Sequence, residues 1–330
     1  MRTDDRLLLG TVRIWSLLRH PGVWRRSLRG KTDFFPNPAA PASDGDKFLW
    51  RKIFDHNPMF SMCCDKLAAK DYVWQHAPDL KTAAVLWQGT DPEQIPAELL
   101  AGNVAIKANH GSGWNILVRD GQFDRKQMLR RASGWVRRTY ARFVGEWGYR
   151  NARKCILVEA MLQEPDGRPV ATEYKFHTSA GRTCYIYVKR RNADGTDNWC
   201  VYERNGSPLP ADPRWTTWAA LPLPDTFTRM RDAAEKLGQP FDHIRVDLYS
   251  LDGEIYFSEL TVYPQSGKSV VNRLAELRNA SWDLRKSWFL STPQRGWRRL
   301  YAAALHRWLD EVQPSSSPVG AGEATPAQVR

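Results

Sequence analysis

Arg245, Asp247 and Glu259 combine residue type and spacing in a way that suggests chemistry. They lie in residues 244–267, IRVDLYSLDGEIYFSELTVYPQSG. Ile244, Val246 and Leu248 alternate with Arg245, Asp247 and Tyr249, the period of a strand. Asp252-Gly253 marks a tight turn, and residues 255–260 read as the returning strand. Charge is disfavoured in mid-strand, so three such residues need a reason. A three-residue loop, 252–254, sets Asp247 opposite Glu259, whereas a two-residue loop puts them on opposite faces. The sequence leaves both open. Two facing carboxylates repel unless a cation lies between them. Oxygen ligands suit Mg²⁺, which rests on one or two carboxylates plus substrate phosphates. A solvated hairpin face with a cross-strand Arg–Asp pair accounts for these residues equally well.

Two further stretches carry chemical potential. Residues 104–107 form a short strand that runs into Ala108-Asn109-His110-Gly111-Ser112-Gly113-Trp114-Asn115, and residues 116–118 return. Consecutive N–H groups in such a loop make an anion-binding nest, and glycine permits close approach to phosphate. Lys107 stands beside it as a point charge. His110 is within reach of a phosphate there, though a lone loop histidine more often serves local hydrogen bonding. Gly267-Lys268-Ser269 is not a P-loop, because Val262 occupies the position of the required first glycine. The second stretch, residues 155–158, is an apolar strand ending at Glu159 and followed by Ala160-Met161-Leu162. Residues 171–176 and 184–188 read as a hairpin, with Glu173 and Lys175 on one face. Lys189, Arg190 and Arg191 close it and offer a basic strand end to an anionic acceptor.

The elements that must position these residues form a mixed chain. Residues 1–30 carry seven arginines among leucines and read as a basic amphipathic helix, for an anionic membrane or for its own domain. Residues 35–46 read as a linker. Helices are expected at 47–54 and 61–75, over a long basic and aromatic stretch at 125–150, and at 225–237, which Gly238 ends. A short helix opens at Asp91-Pro92. Residues 192–197 read as a loop and 203–224, with five prolines, as a long connection. Residues 269–277 read as a helix. Residues 282–309, rich in Trp and Arg, close the core or form a second interfacial segment. From 314 the chain reads as disordered. His56, His76 and Cys63-Cys64 match no metal-ligand spacing.

The 330 residues allow one large domain or two to three small ones. A 42% hydrophobic, 25% charged composition is globular. The net charge of +12 and the pI near 9.6 favour an anionic partner. No apolar run is long enough to span a membrane, and the N-terminus lacks a secretory cleavage site. Five cysteines without a C-x-x-C pair argue against a disulfide framework or zinc site and fit the reducing cytosol.

Taken in order, these pieces resemble the ATP-grasp superfamily and, within it, the family called TupA-like, linked to cell-surface polysaccharide synthesis. The resemblance rests on DKFLWRKIFDHNP, CCDKLAAKDYV, AIKANHGSGWNI, CILVEAML, EYKF and the 244–267 stretch, from about Asp46 to Gly267. Residues 1–40 and 280–330 lie outside it. It implies an α+β ATP-grasp fold, two α+β subdomains with mainly antiparallel sheets sandwiching ATP, plus helical N- and C-terminal extensions. The expected organisation is a basic N-terminal helix and linker (1–45), a helical region (46–103), a subdomain with the glycine-rich flap (104–158), a subdomain with the metal site (159–280), a Trp/Arg-rich helical segment (281–313) and a disordered tail (314–330). By motif position, Lys107 looks like the first phosphate lysine and Gly111-Ser112-Gly113 like the flap, with His110 beside it. Glu159, Ala160, Met161 and Leu162 look like the hinge that reads adenine, and Glu173 like the ribose carboxylate. Lys154 and Lys175 are alternatives for a second phosphate lysine. Arg245 looks like the arginine that stabilises the transferring phosphoryl group, and Asp247 and Glu259 like Mg²⁺ ligands. Thr261 stands where many superfamily members carry a further Asn ligand, which puts a second metal site in doubt.

The resemblance implies an ATP- and Mg²⁺-dependent carboxylate–amine ligase acting through an acyl phosphate, with Arg245, Lys107 and Lys175 as catalytic cations. Its expected partners are an anionic or uronic-acid-containing glycan and an amine donor; the cysteine usage, the basic charge and the amphipathic chain ends separately suggest a cytoplasmic workplace at the inner face of the membrane with peripheral contact with anionic lipid. The alternatives are a glycan kinase or glycosyltransferase, or a non-catalytic basic protein binding membrane or nucleic acid. Nucleic acid is disfavoured, because the aromatics that would stack bases lie at the helical spacing of a core.

Overall fold

The computed structural model describes residues 1–20, 35–140, 145–192, 194–210, 221–267 and 273–313. Helix α1 (Thr3–Arg19) opens the chain, and α2 (Asp44–Ile53) follows, started by a reciprocal Ser43–Asp46 capping box. Where one helix is expected over 61–75 there are two, α3 (Met59–Cys64) and α4 (Lys66–His76). Asp65 separates them: its backbone is extended and its carboxylate caps α4 through the Ala68 N–H. Strands β1 (Lys81–Thr82) and β2 (Val85–Gly89) come next. Then come β3 (Val104–Ala108), β4 (Asn115–Val118) and α5 (Arg125–Val136). They are followed by β5 (Ile156–Ala160), β6 (Thr172–Ser179), β7 (Arg182–Arg191), β8 (Asp197–Tyr202) and α6 (Phe227–Gly238). Strands β9 (Ile244–Leu251) and β10 (Glu254–Thr261) form the expected hairpin. Helices α7 (Arg273–Ser281), α8 (Trp288–Ser291) and α9 (Trp297–Val312) end the described chain.

The fold is α+β, with two sheets. The larger has the order β1-β10-β9-β6-β7-β8 and is antiparallel except for the β1–β10 pair; the smaller, β2-β5-β3-β4, is antiparallel throughout. Alternate residues of the larger sheet, Phe176, Ile186, Val246 and Leu248, pack with Phe60, Val73, Met230 and Leu237 from the helices. Ile106, Val118, Ile156 and Val158 of the smaller sheet pack on Met128, Ala132 and Trp135 of α5.

A further expectation about elements needs correction, and two strands lie where none is expected. The long helical reading over 125–150 yields a helix only to Val136, then a single 3₁₀ turn at Trp147–Arg150, with 141–144 outside the described residues. Met128, Ala132 and Trp135 already cover the small sheet, so further turns along that axis have no apolar surface to meet. Strand β2 was not anticipated. It is short and half-exposed, and its state is set by pairing with β5 rather than by periodicity. Strand β8 likewise lies beside an expected loop and is held by pairing with β7.

The extensions fold onto each other. Leu9 and Val12 of α1 meet Trp50 of α2 and Phe289, Tyr301 and Leu305 from the C-terminal segment in a separate core. Asp5 accepts from Arg307 at 2.8 Å. The expected tail from 314 and the N-terminal stretch 21–34 lie outside the described residues.

Candidate active site

The β9–β10 turn has two central residues, Asp252 (φ 50°) and Gly253 (φ 74°), the left-handed pair that matches strand twist in two-residue hairpins. That turn alone would place Asp247 and Glu259 on opposite faces. A bulge between Phe257 and Glu259 intervenes: Phe257 pairs with Leu248, and Glu259 pairs with Asp247. Ser258 is the extra residue. It turns the Glu259 side chain to the Asp247 face while Phe257 stays in the core. On the other side of β9, Lys175 of β6 pairs with Asp247.

The outcome is a continuous row of charge on one face. Lys175 Nζ contacts a Glu173 carboxylate oxygen at 2.5 Å and donates to Asp247 Oδ2 at 2.9 Å. Arg245 donates through Nε and Nη2 to both Asp247 oxygens, each at 2.6 Å, and through Nη2 to Glu259 Oε1 at 3.0 Å. Thr261 Oγ1 donates to Glu259 Oε1 at 2.7 Å. Asp247 is fully buried, whereas the Glu259 side chain is 35% exposed at the cleft. Burial by itself raises the Glu259 pKa, but Arg245, Lys66, Lys175 and the Thr261 hydroxyl outweigh it and hold the group down at about 2. Burial and the neighbouring Asp247 charge instead raise Glu173, with Lys175 only partly offsetting them. The row therefore contains carboxylates pushed in opposite directions, a pattern that clusters at functional sites.

The smaller sheet contributes the opposing wall. Lys107 Nζ donates to Glu159 Oε2 at 2.6 Å, and Lys70 Nζ lies 2.8 Å from Glu159 Oε1. Burial favours protonating Glu159, but the two lysines reverse that and lower its pKa. Gly111, Ser112 and Gly113 overhang the cleft. Gly113 has φ +69°, and a Cβ on Gly111 would come within 2.8 Å of the Trp114 ring, so both glycines answer a local demand. His110 turns away. It is buried, its Nε2 lies 3.0 Å from the Trp135 carbonyl, and burial lowers its pKa. Lys154 is exposed and lines neither cavity described below, whereas Lys175 lines the larger.

A cavity of about 1750 Å³ runs between the sheets, bordered by Lys107, the 111–113 loop, Glu159 to Leu162, Glu173, Lys175 and Glu259. Lys189, Arg190 and Arg191 lie along its edge. A second cavity, of about 620 Å³, adjoins it on the far side of Glu259. Its walls are Arg245 and Thr261 on one side and Tyr140, Tyr149, Tyr263 and Glu146 on another. Lys66, Ser112, Ser258 and Glu259 line both cavities and so mark the junction. Gln265 and Ser266, at the edge of the smaller cavity, both hold left-handed φ near +51° and +56°, strain of a kind often found at ligand sites.

Lys66 and Lys70 were assigned no role by the sequence reading. Lys66 donates to the Gly111 carbonyl at 2.6 Å and has no carboxylate within salt-bridge distance among the described residues. The signal was present, two lysines four apart at the start of one helix and hence on one face.

The resemblance implies Mg²⁺, and the oxygen donors at the edge of the cleft are of the kind that suits it. Glu259, held deprotonated, and the Thr261 hydroxyl beside it line the smaller cavity as oxygen donors, whereas both oxygens of the buried Asp247 are held by Arg245 and Lys175. No group of three or more His, Cys, Asp or Glu placed to hold a metal occurs among the described residues. The donor set therefore suits an ion that keeps waters and takes phosphate oxygens, and not a metal needing a full protein cage.

The fold is a two-sheet α+β protein, and its cleft combines a wall of lysines with an Arg–Asp–Glu row. The sequence profile of the TupA-like ATP-grasp family matches residues 46–276, and the chain belongs to that family. A search of curated proteins gives no match. Among solved structures, the D-alanine–D-alanine ligase of Bacillus anthracis is similar over 78% of this chain and 71% of its own, at 15% identity and a TM-score of 0.42. That of Helicobacter pylori is similar over 73% and 67%, at 14% and 0.40. The ATP-grasp ligase PsnB, complexed with a minimal precursor, is similar over 72% and 68%, at 10% and 0.39. Likeness at this level says nothing of what this chain acts on.

Proposed function

We propose that this protein is an ATP-dependent carboxylate–amine ligase that joins an amino acid or peptide to a carboxylate of a surface polysaccharide or its precursor. The observation that supports it most is the row Lys175–Asp247–Arg245–Glu259, facing Lys107 across a cleft large enough for a nucleotide, in a chain of the TupA-like ATP-grasp family. ATP lies in the larger cavity. Glu159 to Leu162 border its base, Glu173 its ribose, and Lys107, Lys175 and the N–H groups of 111–113 its phosphates. Asp247 and Glu259 would hold Mg²⁺, with Thr261 orienting Glu259, and the ion would neutralise phosphate charge.

The smaller cavity takes the acceptor. A carboxylate oxygen placed between Lys66 and Arg245 attacks the γ-phosphorus, and the bond to the β–γ bridging oxygen breaks, releasing ADP. An amine then attacks the acyl carbon of the acyl phosphate, loses a proton and expels inorganic phosphate. The protein's contribution is position and charge. Arg245 and the lysines lie where negative charge develops, and Ser112 at the junction helps close the cleft to water. Three tyrosine rings give the acceptor cavity flat apolar walls with polar edges, which suit a sugar ring.

Calorimetry of ATP binding with and without Mg²⁺ tests this, on the wild type and on Asp247→Asn with Glu259→Gln. Magnesium-dependent binding lost in the double variant is the expected result. A folded wild type that binds no ATP overturns the reading. Turnover with uronic acids and amines is expected to release ADP and phosphate together. ADP without phosphate, with a phosphorylated sugar, would make the protein a kinase.

A further inference from the structure

The two chain ends, far apart in sequence, build one surface. Helix α1 buries Asp5, Leu9, Val12 and Ser16. Its other stripe, Leu7, Ile14 and Leu18, is 66%, 62% and 77% exposed. Those positions are seven and four apart, the spacing of one helix face. Helix α1 is therefore apolar on two faces, and α9 covers only one. Trp15 packs edge-on against Trp297 with ring centroids 5.6 Å apart. Trp297 and the exposed Leu300 carry the patch onto the first turn of α9.

The charge around this patch is polarised. Asp5 meets Arg307, and the Met1 ammonium meets Glu311, so α1 and α9 run antiparallel. Exposed Asp4, Asp310 and Glu311 gather at one end. At the other end stand Trp15, Leu18, Trp297 and Leu300 with exposed Arg19, Arg295, Arg298 and Arg299. Arg298 lies over the Trp297 ring at 5.9 Å. Residues 6–20 and 292–309 contain no acidic residue. Tryptophan at the polar boundary, leucine and isoleucine beyond it and arginine around it is the composition of a segment that lies in a lipid headgroup layer. Each arginine adds attraction to anionic headgroups.

We propose that the α1–α9 face docks this protein peripherally on an anionic phospholipid surface. Lipid is favoured over a second copy of the chain because four arginines border the apolar end and, among the described residues, 6–20 and 292–309 bring no carboxylate to it. No helix among the described residues is long and apolar enough to cross a membrane, so the attachment is lateral. The proposal does not depend on the ligase reading.

The test is co-sedimentation of the full chain with vesicles of phosphatidylcholine alone or with about a quarter phosphatidylglycerol. The wild type is expected to partition onto the anionic vesicles at least ~10-fold more strongly, and less so in high salt. Ile14→Ser, Leu18→Ser and Leu300→Ser together are expected to lower that binding at least ~10-fold. Because all three side chains are exposed, the thermal melt should be unchanged, which separates lost docking from lost folding. Arg295→Gln, Arg298→Gln and Arg299→Gln should remove the preference for the anionic lipid. No binding of the wild type to anionic vesicles overturns the proposal. So does equal binding by the triple serine variant, or a wild-type dimer that the serine variant makes monomeric while neither binds lipid.

Discussion

Two arginines, Arg245 and Arg51, each stand beside two carboxylates, and they behave as opposites. In the cleft, Arg245 bridges Asp247 and Glu259. Beneath the larger sheet, Arg51 donates to Asp242 Oδ1 at 2.7 Å and to the Val262 carbonyl at 2.9 Å, with Asp55 nearby. Arg51 is sealed between aromatic rings: its guanidinium lies 4.3 Å from the Trp282 ring and 5.0 Å from that of Phe60. Asp242 Oδ2 also accepts from Trp282 Nε1 at 2.6 Å, and Asp55 Oδ1 accepts from the Phe289 N–H at 2.9 Å. This second cluster thus ties α2, the ends of the β9–β10 hairpin and the C-terminal segment into one unit. The residue types are nearly the same. What differs is access: the cleft row opens onto two cavities and has lysines on either side, whereas the Arg51 cluster meets only protein. An ion pair that water and ligand can reach is available for chemistry, and one they cannot reach acts on the fold.

Exchanging the two arginines for methionine breaks or sharpens that contrast most directly. Under the proposed function, Arg245→Met removes charge stabilisation of the transferring phosphoryl group, and ADP release under turnover is expected to fall by ~10³-fold or more. Its melting temperature should change little, because Lys175 still pairs with Asp247 and Glu259 reaches solvent. Arg51→Met leaves Asp242 buried without its cation, and a loss of about 3–5 kcal/mol is expected by denaturant titration. If Arg245→Met proved the more destabilising, the division between site and scaffold would be wrong.

The carboxylates provide a second contrast, in pH. Burial, and then the charge of Asp242, raise Asp55 to about 7, with Arg51 only partly opposing. Glu259 moves the other way. A carboxyl group raised in the folded state keeps a proton that the unfolded chain has already lost. Its contribution to stability is therefore full below the unfolded value near 4 and declines as pH rises toward 7. Asp55→Asn keeps an acceptor for the Phe289 N–H and cannot ionise. Between pH 4 and 7 the wild type should lose stability relative to this variant, by on the order of a few kcal/mol. Parallel stability curves for the two proteins would show that Asp55 is ionised in the fold.

The same contrast explains how much could be read in the sequence. The β9–β10 hairpin was legible because alternation and Asp252-Gly253 are local signals. The facing of Asp247 and Glu259 was legible only as one of two options. The turn took the two-residue form, which points them apart, and the bulge at Ser258, which has no sequence signature, reversed it. Lys107, Glu159 and Glu173 were expected along the nucleotide and do border the larger cavity. His110 has the right type and spacing but points into the α5 packing, a matter of rotamer and neighbours rather than order in the chain. Lys66 and Lys70 reach the cleft from a helix that periodicity describes but cannot aim. The Arg51 cluster was invisible for the same reason: its members come from residues 51, 55, 242 and 282, and only the tertiary fold brings them together.

Thr261 sharpens the comparison at the smallest scale. Its hydroxyl donates to Glu259 Oε1, the same oxygen that Arg245 Nη2 holds. In this geometry threonine orients a carboxylate, and in the proposed function that carboxylate faces Mg²⁺. Groups that orient a metal ligand commonly matter ~10–100-fold for metal affinity. Here Arg245 also fixes Glu259, so the lower end is expected. Thr261→Val keeps the branched shape and removes only the hydroxyl. The Mg²⁺ concentration that half-saturates ATP binding should rise by about 10-fold, roughly 1.4 kcal/mol, while the melting temperature stays within about 2 °C of the wild type. Thr261→Asn, which supplies an amide oxygen at the same place, should restore Mg²⁺ affinity if that oxygen reaches the ion. If valine changes nothing and asparagine tightens Mg²⁺, then Thr261 plays no part in orienting Glu259 and the position is an unused ligand site.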